Sequence, residues 1–300
     1  AGGAERSPSG DGRVRRKQES LPMKILAFGD VVGKPGRQVL KKHVVCLRRE
    51  LAVDFVFANG ENAAGGIGLT RETLDEILSC GVDAVTGGNH IWKHRELCCR
   101  MDSDARVLRP ANYPDAPGRG YAVYTLADGR EIALCNLQGL TYMEPLPCPF
   151  RTAFDWVREL DESGATRIRL IDFHAEATSE KKTLGLALDG KVSAVLGTHT
   201  HVQCADAQIL PQGTAYLTDL GMCGVEVSSL GMDAALTLER FLSRRPVSFK
   251  AASGPPSLNG AFLDIDDESG LAREIRLIRL DTPDHIRARS DRQEMHSATA

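Results

Sequence analysis

Short apolar runs rich in β-branched residues recur along the chain: KILAFGD (24–30), DFVFANGEN (54–62), DAVTGGNH (83–90), EIALCNLQG (131–139), RLIDFHAE (169–176), SAVLGTHTH (193–201) and TAYLTDLG (214–221). Each predicts a strand buried on both faces. Between them, residues 36–50, 70–80, 150–163 and 232–243 carry apolar positions at helical spacing. Alternating strands and helices of this kind predict sheets covered by helices, an α/β arrangement. The C-terminal GAFLDIDDESGLAREIRLIRL (260–280) instead predicts two strands joined by an acidic turn.

Polarity also sets the boundaries. Residues 1–22 are rich in Gly, Ser and charge and hold almost nothing to bury, so they are expected to be a disordered extension, with RVRRK a solvated basic run. The domain proper is expected over 23–281, and 282–300 as a flexible tail. A net charge of -3 and 42% hydrophobic residues describe an ordinary globular protein with no basic field to attract nucleic acid or membrane. No stretch reaches the roughly 18 apolar residues that a membrane span needs, and the start lacks a signal peptide's apolar core. The eight cysteines show no CxxC spacing, which removes zinc-ribbon and thioredoxin readings and favours reduced thiols in a cytoplasmic protein.

The polar residues within the runs carry the chemistry. Asp30, Glu61, Asn62, Asn89, His90, His174, His199 and His201 all fall at or just beyond predicted strand ends. Carboxyl ends of strands converge on one crevice in α/β folds, where ligands bind. His199 and His201 are expected to face one side, as alternate residues of an extended segment. Alone, that pair is equally open to structural hydrogen bonding. With the other strand ends it forms a mixed oxygen and nitrogen set suited to Mn, Fe or Zn. A carboxylate such as Glu61 is placed to bridge two cations, an arrangement used for phosphoester cleavage.

The motifs GD (29–30), GEN (60–62), GNH (88–90), DFHAEATSEK (172–181) and GTHTH (197–201) resemble those of the calcineurin-like metallophosphoesterases. In particular they resemble the YmdB-like branch, whose members are 2',3'-cyclic-nucleotide 2'-phosphodiesterases. The likeness runs from about Met23 to Leu280 and includes RPANYP (109–114) and ILPQGTAYLTDLGM (209–222). It implies a four-layer fold, two facing mixed sheets flanked by helices, with two transition-metal ions, Fe or Mn before Zn, at the strand ends. By position, one ion would be held by Asp30, Glu61, Asn62 and His201, and the other by Glu61, Asn89, His174 and His199. His90 would assist the phosphoryl group or the leaving oxygen, and attack would come from a hydroxide between the ions. The implied partner is a small cyclic nucleotide; a homo-oligomer is a family-level expectation. Three departures from the broad superfamily agree with the branch: Val32 where a histidine is usual, Glu61 for the bridging Asp, and Thr198 before the first histidine of the last motif. Lys93 stands where many relatives have an acidic residue.

Competing motifs fail on spacing. GDVVGKPGR (29–37) lacks the length and hydroxyl residue of a phosphate loop and predicts a tight turn, with Lys34 and Arg37 retained as phosphate contacts of lower weight. GGIGLT (65–70) lacks the third glycine of the spaced dinucleotide-binding fingerprint and predicts a loop before a helix capped by Thr70. His94 lies four residues after His90, but Ile91 replaces the glutamate of a zinc helix motif, leaving a surface role. Asp219 is open to supporting a ligand or capping a turn, and Trp92 and Tyr142 to base stacking or, by default, packing. Two other functions stay open: action on another phosphoester, such as a phosphomonoester or cyclic dinucleotide, and metal or nucleotide sensing with little turnover.

Overall fold

Alternation along the strands decides the middle of the molecule. In the computed structural model, which describes residues 22–281, β1 (Met23–Val31) and β2 (Phe55–Asn59) send Met23, Ile25, Ala27, Phe55 and Phe57 into one apolar cluster. Leu26, Phe28, Val56 and Ala58 point the other way, into a second. The expected extension and tail therefore fall outside the described residues, apart from Pro22. After β3 (Ala84–Thr86) and β4 (Tyr121–Thr125) come β5 (Glu131–Gln138), β6 (Arg169–His174) and β7 (Ala194–Thr198). On these, Leu134, Leu170 and Leu196 join the first cluster, while Cys135, Ile171 and Val195 turn outward into a third. The first cluster thus lies between two sheets and the other two lie outside them.

With β8 (Gln208–Ile209), β9 (Ala215–Leu217), β10 (Met222–Val225), β11 (Pro256–Ile265) and β12 (Ala272–Asp281), the sheets run β12-β11-β10-β1-β2-β3 and β4-β5-β6-β7-β9-β8. Both are mixed. Residues 260–280 form the predicted pair of strands, antiparallel with a register shift between Asp264 and Ile265. Helices α1 (Gly33–Glu50), α2 (Arg71–Ser79) and α3 (Glu96–Ser103) cover the first sheet through Leu40, Leu74 and Leu97. Helices α4 (Pro149–Ser163) and α5 (Thr178–Ala187) cover the second through Trp156 and Leu184. The predicted four-layer order is the one found. Thr70 caps α2, accepting from the Thr73 amide while Thr73 returns the bond. All eight cysteines are free, and no helix among the described residues is long and apolar enough to cross a membrane.

Helix α6 (Ala234–Ser243) stands apart, because none of its residues is buried. Burying a large apolar side chain contributes about 1.5–3 kcal/mol, so this helix adds little to the stability of the fold.

Polarity invades the inter-sheet layer at one end only. The inward sequence Phe55, Phe57 continues as Asn59, and Leu170 continues as Asp172 and His174, all buried. On β1 the register slips between Phe28 and Asp30, which turns Asp30 inward where simple alternation would aim it outward. Gly29 makes room for this: a Cβ there would lie 1.9 Å from the Gly221 carbonyl oxygen. The polar end of the sandwich is consequently built from the carboxyl ends of β1, β2, β3, β6 and β7.

Candidate metal centre

All eight predicted site residues meet at that polar end. Glu61, buried in the turn after β2, brings Oε1 to 3.1 Å from His174 Nε2. Its Oε2 accepts the His90 backbone N–H at 2.8 Å. Asn89 Oδ1 lies 3.2 Å from the same His174 nitrogen, and His199 Nδ1 lies 3.1 Å from it. On the other side, His201 Nε2 stands 3.6 Å from Asp30 Oδ1 and 3.2 Å from Asn62 Nδ2, which also reaches Glu61 Oε1 at 3.3 Å. Two groups of donors therefore share Glu61. Glycine at 88 permits this, since a Cβ there would sit 2.4 Å from Glu61 Oε2 and 2.3 Å from the His174 ring.

The convergence of His199 and His201 has a different cause from the expected extended alternation. Strand β7 ends at Thr198, and the two histidines have φ of 99° and 62°. Such left-handed backbone is strained for non-glycine residues, of order 1–3 kcal/mol each. Surrounding groups hold it in place: the His199 amide donates to Asp30 Oδ2 at 3.0 Å and the Thr200 amide to Asp219 Oδ2 at 3.0 Å. Asp219 also accepts from the Gly221 amide and from buried Lys181. Both expected roles of Asp219, support for the ligand segment and turn cap, are realised together.

The fit to a metal can be read from the protons. His201 Nδ1 lies 2.9 Å from the Leu230 carbonyl oxygen, to which it donates, so Nε2 is the ring nitrogen turned toward the site. His174 Nδ1 lies 3.0 Å from Thr198 Oγ1, whose hydroxyl donates to Asp172 Oδ1 at 2.7 Å. His199 Nε2 is 3.2 Å from Glu176. With those outer nitrogens donating, His174 Nε2 and His199 Nδ1 present lone pairs to each other across 3.1 Å. A positive charge between or beside them would satisfy both lone pairs. A proton supplies it when His174 is protonated: burial resists this, but the Glu61 carboxylate reverses the direction. A cation supplies it equally, and Glu61, His174 and His199 place donor atoms within 4.8 Å of one another. The donors contain no sulfur and suit a borderline transition metal.

The charges are consistent with this frame. Burial, reinforced by His174, pushes the His199 imidazole down to about 4 and keeps its lone pair. Burial opposes a charge on His201, yet Asp30 beside it carries that imidazole up to about 9. Glu61 is fully buried, and the nearby His174 and His90 still hold its carboxyl well below the usual range. Asn62 departs from a ready ligand. Its Nδ2 faces Asp30 and His201 while its Oδ1 lies 3.0 Å from His90 Nδ1, so ligation through oxygen needs the amide turned over.

Other sequence candidates fall outside this cluster. Arg37 is engaged by Glu76 and the Ala63 carbonyl, both at 2.5 Å, leaving it a structural role. His94 is half-buried rather than exposed, with Nε2 unpartnered. Trp92 packs edge-on against Tyr113 at 5.2 Å, whereas Tyr142, expected to pack, is 90% exposed. Sequence reading missed Asn59, Asp172 and Glu176. The first two were detectable: they sit two residues from Phe57 and His174, on the inward face of their strands.

Comparison with known proteins agrees with this architecture. Residues 26–278 match the family described as YmdB-like protein. Over 265 residues the chain is 46% identical to a 2',3'-cyclic-nucleotide 2'-phosphodiesterase of Bacillus subtilis, covering 88% of this chain and 99% of that one. A hypothetical protein from Thermus thermophilus superposes with a TM-score of 0.81 at 40% identity, over 87% of this chain and 100% of its own. A novel phosphatase from Mycoplasma pneumoniae gives a TM-score of 0.81 at 31% identity, over 89% and 97%.

Proposed function

The chain belongs to the YmdB-like family, and we propose that it is a metal-dependent phosphodiesterase opening 2',3'-cyclic nucleotides to 3'-phosphates. The observation that carries this reading is the sharing of Glu61 between two donor groups, with His174 on one side and Asn62 on the other. Asp30, Glu61, Asn62 and His201 would hold one ion, and Glu61, Asn89, His174 and His199 a second, with Mn or Fe favoured by the donors. When bound, such ions supply charge neutralisation at the phosphoryl oxygens and activation of the nucleophile.

The remaining chemistry belongs to the chain. Asp172 and Thr198 fix the His174 ring, so its Nε2 is the atom that faces the centre. The Leu230 carbonyl does the same for His201. His90 is anchored at its amide by Glu61 and at Nδ1 by Asn62, while its side chain is 37% exposed and lines the cavity. That position lets an imidazolium deliver a proton to the departing 2'-oxygen.

Protein loaded with Mn(II) or Fe(II) should convert 2',3'-cyclic AMP to adenosine 3'-monophosphate, identified by phosphorus NMR. Glu61→Gln should abolish turnover, and ordinary turnover by that variant would sink the shared role of Glu61. Replacing His90 with Asn should lower kcat by about 10²–10⁴-fold with little change in KM. A 2'-phosphate product, or conversion of phosphomonoesters alone, would overturn the assignment.

A further inference from the structure

Strands β10 and β11 are antiparallel neighbours, with Val225 opposite Pro256. A connection of about two to five residues would join them, yet the chain makes an excursion over residues 226–255 that includes α6. The excursion is fastened to the metal centre: the Leu230 carbonyl holds His201 at 2.9 Å, and Met232 bridges to both Ser229 and Ala251. Its free face is apolar and uncovered, with Phe241 67% and Phe249 43% exposed. The Arg240 guanidinium lies over the Phe249 ring, 5.8 Å from its centroid.

That face and the metal centre line one cavity of about 760 Å³, whose walls include Glu61, His90 and His201 together with Leu230, Phe241 and Phe249. Ligand sites for whole small molecules span about 300–1,000 Å³, so the space continues well beyond a phosphoryl group. We propose that the Phe241, Phe249 and Arg240 wall is the seat of the substrate's nucleobase. This rests on the function proposed above. A base is flat, largely neutral and π-rich, and both aromatic rings and guanidinium planes stack on it. The only ionisable side chain of this wall is a cation, which suits a π-face and has nothing to offer an alkyl chain. Stacking is indifferent to hydrogen-bonding edges, so the wall accepts all four bases and favours purines, which present more area.

The test compares two cyclic esters that share the reacting ring: 2',3'-cyclic AMP, and glycerol 1,2-cyclic phosphate, which has no base. Binding of adenosine 3'-monophosphate is measured in parallel by titration calorimetry. In Phe249→Ala and Phe241→Ala, preference for the nucleotide over the baseless ester should fall about tenfold through KM, and nucleotide binding should weaken about tenfold. Phe249→Tyr should restore both. Equal losses on both esters, or none, with unchanged calorimetric affinity, would overturn the base seat. If the wild-type protein opens neither ester, the proposed reaction fails. The seat is then judged by calorimetry alone: weakened binding in the alanine variants supports it and unchanged binding overturns it.

Discussion

Thr198 shows how much one hydroxyl can organise. Its oxygen receives His174 Nδ1 and its proton goes to Asp172, whose other oxygen accepts from Thr86 and Asn59. Thr198→Val keeps the shape and removes the link, leaving an imidazole and a buried carboxylate without their shared partner. Metal affinity should fall about 10–100-fold, read by titration of Mn(II) into the metal-free protein. The ligand candidates were legible in the sequence because charged and amide residues rarely end apolar runs without cause. Thr198 and Asp172 were less so, since a Thr and an Asp inside a strand look ordinary until the strand's inward face is known. The positive φ of His199 and His201 was invisible, because nothing in the alternation of GTHTH announces a left-handed turn.

Among elements, those with a clean period were legible and those without one were not. Helix α5 escaped notice because its buried positions include Lys181 and Gly185, which break an apolar stripe. Half-exposed β4 and four-residue β10 are too irregular or too short to stand out. The buried lysine of α5 nevertheless ties that helix to the second sheet: its Nζ donates to the Thr198 carbonyl at 2.7 Å and to Asp219 at 2.8 Å. Lys181→Met would leave Asp219 buried and unpaired, a loss of about 3–5 kcal/mol, measurable by urea denaturation. Leu242→Ser on α6 should change stability by less than about 0.5 kcal/mol, since that side chain is 77% exposed. A large loss there would mean that α6 belongs to the core after all. Its helical period was read correctly from residues 232–243, but period alone does not say whether the apolar face is covered.

At the scale of the whole molecule, the described residues build three apolar clusters, one between the sheets and two outside them. Residues 1–21 and 282–300 carry few large apolar side chains, so a chain trimmed to 22–281 should melt within about 2 °C of the 300-residue chain, checked by calorimetry; a large drop would place stabilising contacts in the trimmed ends. Pro22 is kept because its carbonyl accepts from Arg130 at 3.2 Å. The four layers were legible because each strand's two faces feed different clusters, while the sheet order was not, since periodicity carries no pairing information. The hydrogen bond from the His199 amide to Asp30 joins positions 169 residues apart. No local folding event can make that contact, and closing so long a loop makes it a late step in refolding. A stopped-flow experiment should therefore see metal uptake begin only with the slowest refolding phase, so that the centre acts as a clock marking when the two halves of the chain have met.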